Sequence, residues 1–188
     1  TEAEAVNQLA TLANEVDDLL LVAPDGAVVD RVAWGGEEGL RVRAGASLQR
    51  VRADPQAAWV VSVDPWPGSA GDKGSPGGPY VPPATPTPTS TPDLPDPTST
   101  PTPLPTSWPL RAAASPLQIE EVYYGGSADE FIALLNTGAE PLELDGWLVG
   151  DAARPGANEG IYRLPPGVIL APNALFVVAR EGAAFQAR

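Results

Sequence analysis

The chain contains no cysteine, no histidine and no methionine. Without cysteine there is no disulfide framework, no thiolate metal site and no cysteine nucleophile. Without histidine the commonest general base and transition-metal ligand is missing, so the usual Ser-His-Asp and Cys-His arrangements are excluded within this chain. Lysine is nearly absent as well: Lys73 is the only one, and it sits in a Gly-rich stretch rather than an apolar one. Positive charge is scarce throughout. The formal net charge is −13, divided evenly, with −6 on residues 1–68 and −6 on residues 117–188. No basic patch of the kind nucleic-acid binding requires is present, and an anionic membrane surface would repel the chain. No apolar run is long enough to span a bilayer. No signal peptide is recognisable, and the start at Thr1 reads as a processed or cut end, compatible with secretion.

Proline is what the chain has in excess. Of its 23 prolines, 14 lie between Pro76 and Pro116. The sequence therefore divides into 1–68, a linker at 69–116, and 117–188. Each flank is near the lower limit for an independent core, while their sum makes a comfortable single domain. The first part of the linker, SAGDKGSPGG, is Gly/Ser-rich and reads as flexible. The Pro/Thr tract that follows favours polyproline II, and some 30 extended residues would reach on the order of 90 Å. Tracts of this kind resemble the O-glycosylated stalks of secreted proteins, which makes O-glycans on the linker Thr and Ser an expectation; an undecorated spacer needs no sugar.

The flanks read as short strands between turn signals. Residues 2–14 carry helix formers, with Val6, Leu9 and Leu12 near helical spacing, and predict a short helix. Pro24-Asp25-Gly26 separates two β-rich runs and predicts a hairpin of 18–23 with 27–34, because Pro fixes φ and Gly permits positive φ. Alternation puts Val28, Val32 and Trp34 on its buried face. Short strands follow at 41–43, 47–52 and 58–63, with Val42, Leu48 and Val51 inward. After the linker come strands at 117–124 (Leu117, Ile119 and Val122 inward), 130–136, a long one at 141–151 (Leu142, Leu144 and Trp147 inward), 161–164, 168–170 and 174–180. Regular turn signals and little helix indicate an all-β sandwich.

Two blocks of motif are more specific. In the second flank they are Glu121-Val122, Glu130-Phe131-Ile132, Asn136, Leu144-Asp145-Gly146-Trp147 and Pro166-Gly167. This pattern resembles the first half of a lamin-tail domain. In the first flank, the segment from Leu12 through Asp25-Gly26 to Val28-Val29-Asp30, then Gly45 to Val51, then Trp59 and Pro65–Gly68, is similar to the second half of the same family, with Ala13 and Val16 as departures. The resemblance implies an immunoglobulin-like β-sandwich assembled from two half-domains in the order back half, linker, front half. The halves could close on each other as a permuted domain, pair between successive molecules, or be a slice of a longer array. Pairing between molecules would be heterologous and would generate a ring or a fibre.

Chemistry-bearing candidates weigh towards structure. Trp34, Trp59 and Trp147 fall in strand alternation and, with Phe131 and Phe176, are expected in the core or at an interface rather than on a carbohydrate platform. Trp66 and Trp108 flank the linker and are expected to dock it. Tyr123-Tyr124 is expected to place one ring outward. The acidic pairs Asp17-Asp18, Glu37-Glu38, Glu120-Glu121 and Asp129-Glu130 point to opposite strand faces and read as solvated charge. Asp145, Asp151 and Asn158 could offer oxygen ligands to Ca²⁺, but no calcium-loop signature accompanies them. No Gly-rich phosphate loop is present. The expectation is thus a non-catalytic, extracellular or cell-surface structural protein without cofactor, self-associating head-to-tail by strand complementation. The rival is a monomeric permuted module recognising a cell-envelope or extracellular-matrix partner.

Overall fold

In the computed structural model, the structure describes residues 3–5, 12, 17–35, 40, 44–51, 59–66, 69, 71–76, 78, 115–124, 130–151 and 160–181. Every regular element among them is a strand, and among these described residues no helix is long and apolar enough to cross a membrane. The first flank supplies β1 (Ala3–Ala5), β2 (Asp17–Val22), β3 (Val28–Trp34), β4 (Leu48–Arg50) and β5 (Trp59–Val61). The second supplies β6 (Leu117–Tyr123), β7 (Phe131–Asn136), β8 (Leu142–Glu143), β9 (Leu148–Asp151), β10 (Ile161–Arg163), β11 (Ile169–Leu170) and β12 (Leu175–Ala179).

Both large sheets draw strands from both flanks. The six-stranded sheet runs β1-β12-β7-β6-β4-β5 and the four-stranded sheet runs β10-β9-β2-β3, while β11 and β8 form a small pair. The flanks meet at three ladders. In the first, β4 is antiparallel to β6, with Leu48 opposite Val122 and Gln49 opposite Glu121. In the second, β2 is antiparallel to β9, from Leu19 opposite Asp151 to Val22 opposite Leu148. In the third, β1 runs parallel to β12. In this structure the strands of the two flanks pair within one chain. The architecture is all-β, consistent with an immunoglobulin-like sandwich.

Burial explains why the flanks need each other. The inter-sheet core joins Leu12, Leu19, Leu21, Val32, Trp34 and Leu48 of the first flank to Leu117, Ile119, Val122, Ile132, Leu134, Val149 and Phe176 of the second. Each aliphatic side chain taken from water stabilises the fold by about 1.5–3 kcal/mol, and either flank alone would return that surface to solvent. The β2–β3 hairpin forms as its turn chemistry dictates: Gly26 has φ +84°, and the Ala27 amide donates to Asp25 Oδ1 at 3.0 Å.

Four expectations need correction. The helix expected over 2–14 is not what forms at its start, because Ala3–Ala5 is a strand on β12; a ready sheet edge outweighs the weak propensity of a short isolated helix. Of the remainder, only Leu12 lies within the described residues. The long strand expected at 141–151 is divided. Gly146 takes φ +81° against Pro24, and the turn sends β8 to β11 and β9 to the four-stranded sheet. Tyr123 and Tyr124 are both buried, at 1% and 2% exposure. The two rings lie on opposite faces of the sheet and both faces are covered; a bulge in β6 sets which ring takes which face, since Ile119 faces Leu134 and Glu121 faces Ala133, so Glu120 is an extra residue. An inserted residue reverses the alternation. Leu117 and Ile119 point between the sheets, as do Val122 and Tyr124 beyond the bulge, whereas Tyr123 joins Phe131, Ala133 and Val177 on the opposite face beneath Trp66.

The fourth correction concerns the linker boundary. Residues 71–76 do not leave the domain. The Ser47 amide donates to Lys73 O (2.9 Å), the Lys73 amide to Gly45 O (2.8 Å) and the Gly74 amide to Asp64 O (3.0 Å). At the other end the Thr137 amide donates to Pro116 O at 2.7 Å. The strand expected at 41–43, with Val42, and the Pro/Thr tract lie outside the described residues.

Candidate functional site

Among the described residues, Asp30, Arg50 and Glu121 lie buried along the seam between the two flanks. Asp30 is on β3, in register with Val32 and Trp34, and therefore points between the sheets. Arg50 is on β4 in register with Leu48 and points the same way. The Arg50 Nη2 donates to both carboxylate oxygens of Asp30, at 2.8 and 2.7 Å, and its Nε donates to Ile119 O at 2.8 Å. The Ile119 amide donates to Asp30 Oδ2 at 2.8 Å. Two residues of the first flank thus saturate both backbone groups of Ile119, directly before the β6 bulge. Trp59 covers the clamp, with the guanidinium carbon 4.6 Å from its ring centroid. Burial pushes the Asp30 carboxyl above its ordinary value, against the pull of Arg50 and the amides of Ile119 and Arg31.

Glu121 occupies the other face of the six-stranded sheet, because the bulge turns it there. Its Oε1 accepts from Ser47 Oγ at 2.5 Å and from the Ser75 amide at 2.8 Å. Ser47 Oγ is also 2.6 Å from Ser62 Oγ, and Gln49 Nε2 donates to Ser75 Oγ. Burial pushes the Glu121 carboxyl up, and the surrounding donors, Ser47 foremost, only partly offset it; no cation contributes. The third carboxylate, Glu130, receives the Leu12 amide at 3.4 Å and lies 3.4 Å from Arg180 Nη1. Burial pushes it up too, with Arg180 opposing.

The structure overturns the reading of Glu120-Glu121 and Glu130 as solvated charge. Glu120, Glu121 and Glu130 are all buried. The strand argument that neighbours point to opposite faces holds, but in the middle of this sheet both faces are covered, so neither direction leads to water.

Glu121 gives a pH dependence with a definite sign. A carboxyl held above its unfolded value contributes stability that is complete below the ordinary glutamate value of 4.5 and is lost as pH rises through the raised one. Glu121→Gln keeps an acceptor for Ser47 and Ser75 without the charge. Unfolding free energies from urea titrations between pH 4 and 8 are expected to fall for the wild-type chain relative to Glu121→Gln, by about 1–3 kcal/mol at neutral pH, with the midpoints falling in step. Parallel midpoints would show that Glu121 is not titrating in the folded protein.

The aromatic candidates are distributed as follows. Trp34 is buried between the sheets and stacks on Tyr124, with centroids 4.9 Å apart and an interplanar angle of 11°. Trp147 and Phe176 lie in the same core, and Trp59 is half-buried at its margin. Phe131 is fully buried, but in the second cluster, on the face turned away from the four-stranded sheet. Trp66 packs edge-on against Tyr123 and Phe131 in that cluster, and Gly74, from the segment read as flexible linker, lies against its ring. Trp108 is outside the described residues. Asp145 is exposed and Asn158 is outside the described residues; no group of three His, Cys, Asp or Glu among the described residues could hold a metal ion.

Sequence reasoning passed over Asp30, Arg50 and the Ser47–Glu121 group. A signal for Asp30 exists: it is the charged member of an otherwise apolar face, Val28, Val32 and Trp34. Arg50 shares the phase of Leu48 in the same way. Glu121 carries no such signal, because its direction depends on the bulge. All of these groups tie one flank to the other through hydrogen bonds and are arranged to hold the seam.

Residues 111–187 match the family model described as Lamin Tail Domain. Neither the curated proteins nor the solved structures provide a match to the chain. The lamin-tail match and the immunoglobulin-like sandwich are those of a binding or structural module.

Proposed function

We propose that this chain is a non-catalytic lamin-tail-like module in permuted order, self-complemented within one molecule, which presents itself on an extracellular or cell-surface protein for contact with an envelope or matrix partner. The observation that carries the reading is the mixed composition of both large sheets: the core and all three inter-flank ladders are completed inside one chain. The absence of His and Cys from the sequence and the structural employment of the buried acids support a binding rather than a catalytic role. The Thr/Pro tract, of stalk-like composition, supports the extracellular assignment.

Physical reasoning favours closure within the chain. Tethered partners meet at an effective concentration on the order of millimolar when the linker can span the sites. At micromolar protein, intramolecular pairing therefore prevails by about a thousandfold. Light scattering behind size exclusion should give 19.4 kDa throughout the micromolar range. A multimer ladder growing with concentration would overturn this reading in favour of exchange between molecules. That second reading, a head-to-tail fibre, has one feature behind it: the stretch 79–114, if extended as polyproline II, reaches on the order of 110 Å, enough to set one flank on a neighbouring copy.

A further inference from the structure

Residues 72–75 behave towards the rest of the domain as a bound peptide does. They lie across the β4–β5 hairpin as an extended strap recognised by its backbone. Lys73 exchanges hydrogen bonds with Gly45 and Ser47, the Gly74 amide donates to Asp64 O, and Asp72 O accepts from the Trp66 amide at 3.2 Å. Strap and domain pair through isolated bridges, Ala46 with Lys73 and Pro65 with Lys73, rather than a continuous ladder. Side chains provide the selectivity. A Cβ on Gly74 would stand 2.8 Å from Glu121 Oε1, 2.9 Å from Trp66 Cε3 and 3.0 Å from Ser47 Oγ, closer than any side chain can be accommodated without displacement. The next residue, Ser75, gives its amide to Glu121 and receives Gln49 through its hydroxyl. Backbone pairing for affinity and tight side-chain pockets for sequence are the two parts of strand-addition recognition.

We propose that Ser47, Gln49, Glu121 and Trp66 line a peptide-acceptor slot whose ligand is an extended Asp-Lys-Gly-Ser segment, filled in cis by residues 72–75 and open to the same segment of a second copy when the cis strap is withdrawn. The requirement at the centre is glycine, because the Glu121 carboxylate, the Trp66 ring and the Ser47 hydroxyl converge on that one position. The following residue must carry an N–H, which excludes proline there. The slot touches both flanks, Ser47 and Gln49 from the first and Glu121 from the second, so its occupant also latches β6 to β4. The strap precedes the Pro/Thr tract directly, and withdrawal of one would release the start of the other.

The test uses the full chain and a fluorescein-labelled peptide of residues 71–78, GDKGSPGG, as the probe for a strap arriving from a second copy. Gly74→Ala in the protein prevents its own strap from seating. The folded variant is expected to bind the peptide at least about tenfold more tightly than wild-type protein, whose tethered strap competes at high effective concentration; a peptide carrying the same alanine should bind neither protein. Equal binding of the peptide to both proteins, or none to the folded variant, overturns the proposal. Hydrogen exchange on the wild-type chain decides the matter should the variant fail to fold. The amides of Ser47, Lys73, Gly74 and Ser75 should exchange together through an opening less costly than that of β6 and β7. Exchange of these amides only at the rate of global unfolding would make the strap an integral strand and end the proposal. Peptide binding is read independently of molecular mass, so its failure and that of the closed-monomer reading are distinguishable.

Discussion

Arg50→Ala should lower the free energy of unfolding by about 3–5 kcal/mol, the range for removing one partner from a buried ion pair. The loss has two physical parts. The Asp30 carboxylate stays between the sheets without its counter-charge, keeping only the backbone amides of Ile119 and Arg31, and Ile119 O loses the donor that reaches it from β4. At about 2–4 °C per kcal/mol for a protein of this size, the melting temperature should fall by roughly 6–20 °C. Arg31 and Asp18 provide an internal contrast. Their ion pair is 2.5 Å long, but the side chains are 33% and 21% exposed, and removal of either should cost less than about 1 kcal/mol. A double replacement of Asp30 and Arg50 by apolar residues should cost less than the two single replacements together, since no orphan charge remains. If urea titration of Arg50→Ala gave a loss no larger than that at Arg31, the clamp would not be what holds β3 against β4 and β6.

Trp34→Ala should be comparably severe, at about 3–5 kcal/mol. Among the described residues Trp34 is the largest fully buried side chain. It comes from the first flank and stacks on Tyr124 of the second, so its removal opens a cavity in the seam and forfeits an aromatic pair worth about 0.5–1.5 kcal/mol beyond buried area. Trp34→Phe retains a ring and should lose distinctly less. Trp59→Ala, at a half-buried position, should fall between the two. Chemical denaturation of the three variants sets this order. A Trp34→Ala protein as stable as Trp59→Ala would mean that the stack is not central to closure.

Both results bear on how the module works. A domain assembled from flanks separated by a long tract needs specificity as well as burial, because apolar surfaces pair in many registers. The Asp30–Arg50–Ile119 clamp and the Ser47–Glu121–Ser75 group act as register marks. Sliding β6 by one residue against β4 would remove Ile119 from the clamp and carry Glu121 to the opposite face, leaving buried charge unsatisfied on both.

Much of this was legible one residue at a time. The Pro24-Asp25-Gly26 turn, the apolar phase of Leu48, Leu117, Ile119 and Val122, and the missing residue types that narrow the chemistry are local properties, decided by φ preference, alternation and composition. The motif blocks at Glu121-Val122 and Leu144–Trp147 led to the lamin-tail resemblance for the same reason. Tertiary structure decided what depends on partners distant along the chain. That β4 lies on β6 and β2 on β9 within one molecule is a matter of which edges meet, and a flank's own sequence describes an edge without naming its mate. The division of 141–151 came at the positive-φ turn of Gly146, which lies close to Pro24 of the first flank, the burial of both Tyr123 and Tyr124 from cover on both faces of the six-stranded sheet, and the capture of 72–75 from a slot built by both flanks. Alternation describes one strand facing one core; here the middle of a sheet is covered on both faces, and charge that would be solvated on an ordinary strand becomes the fastening of the seam.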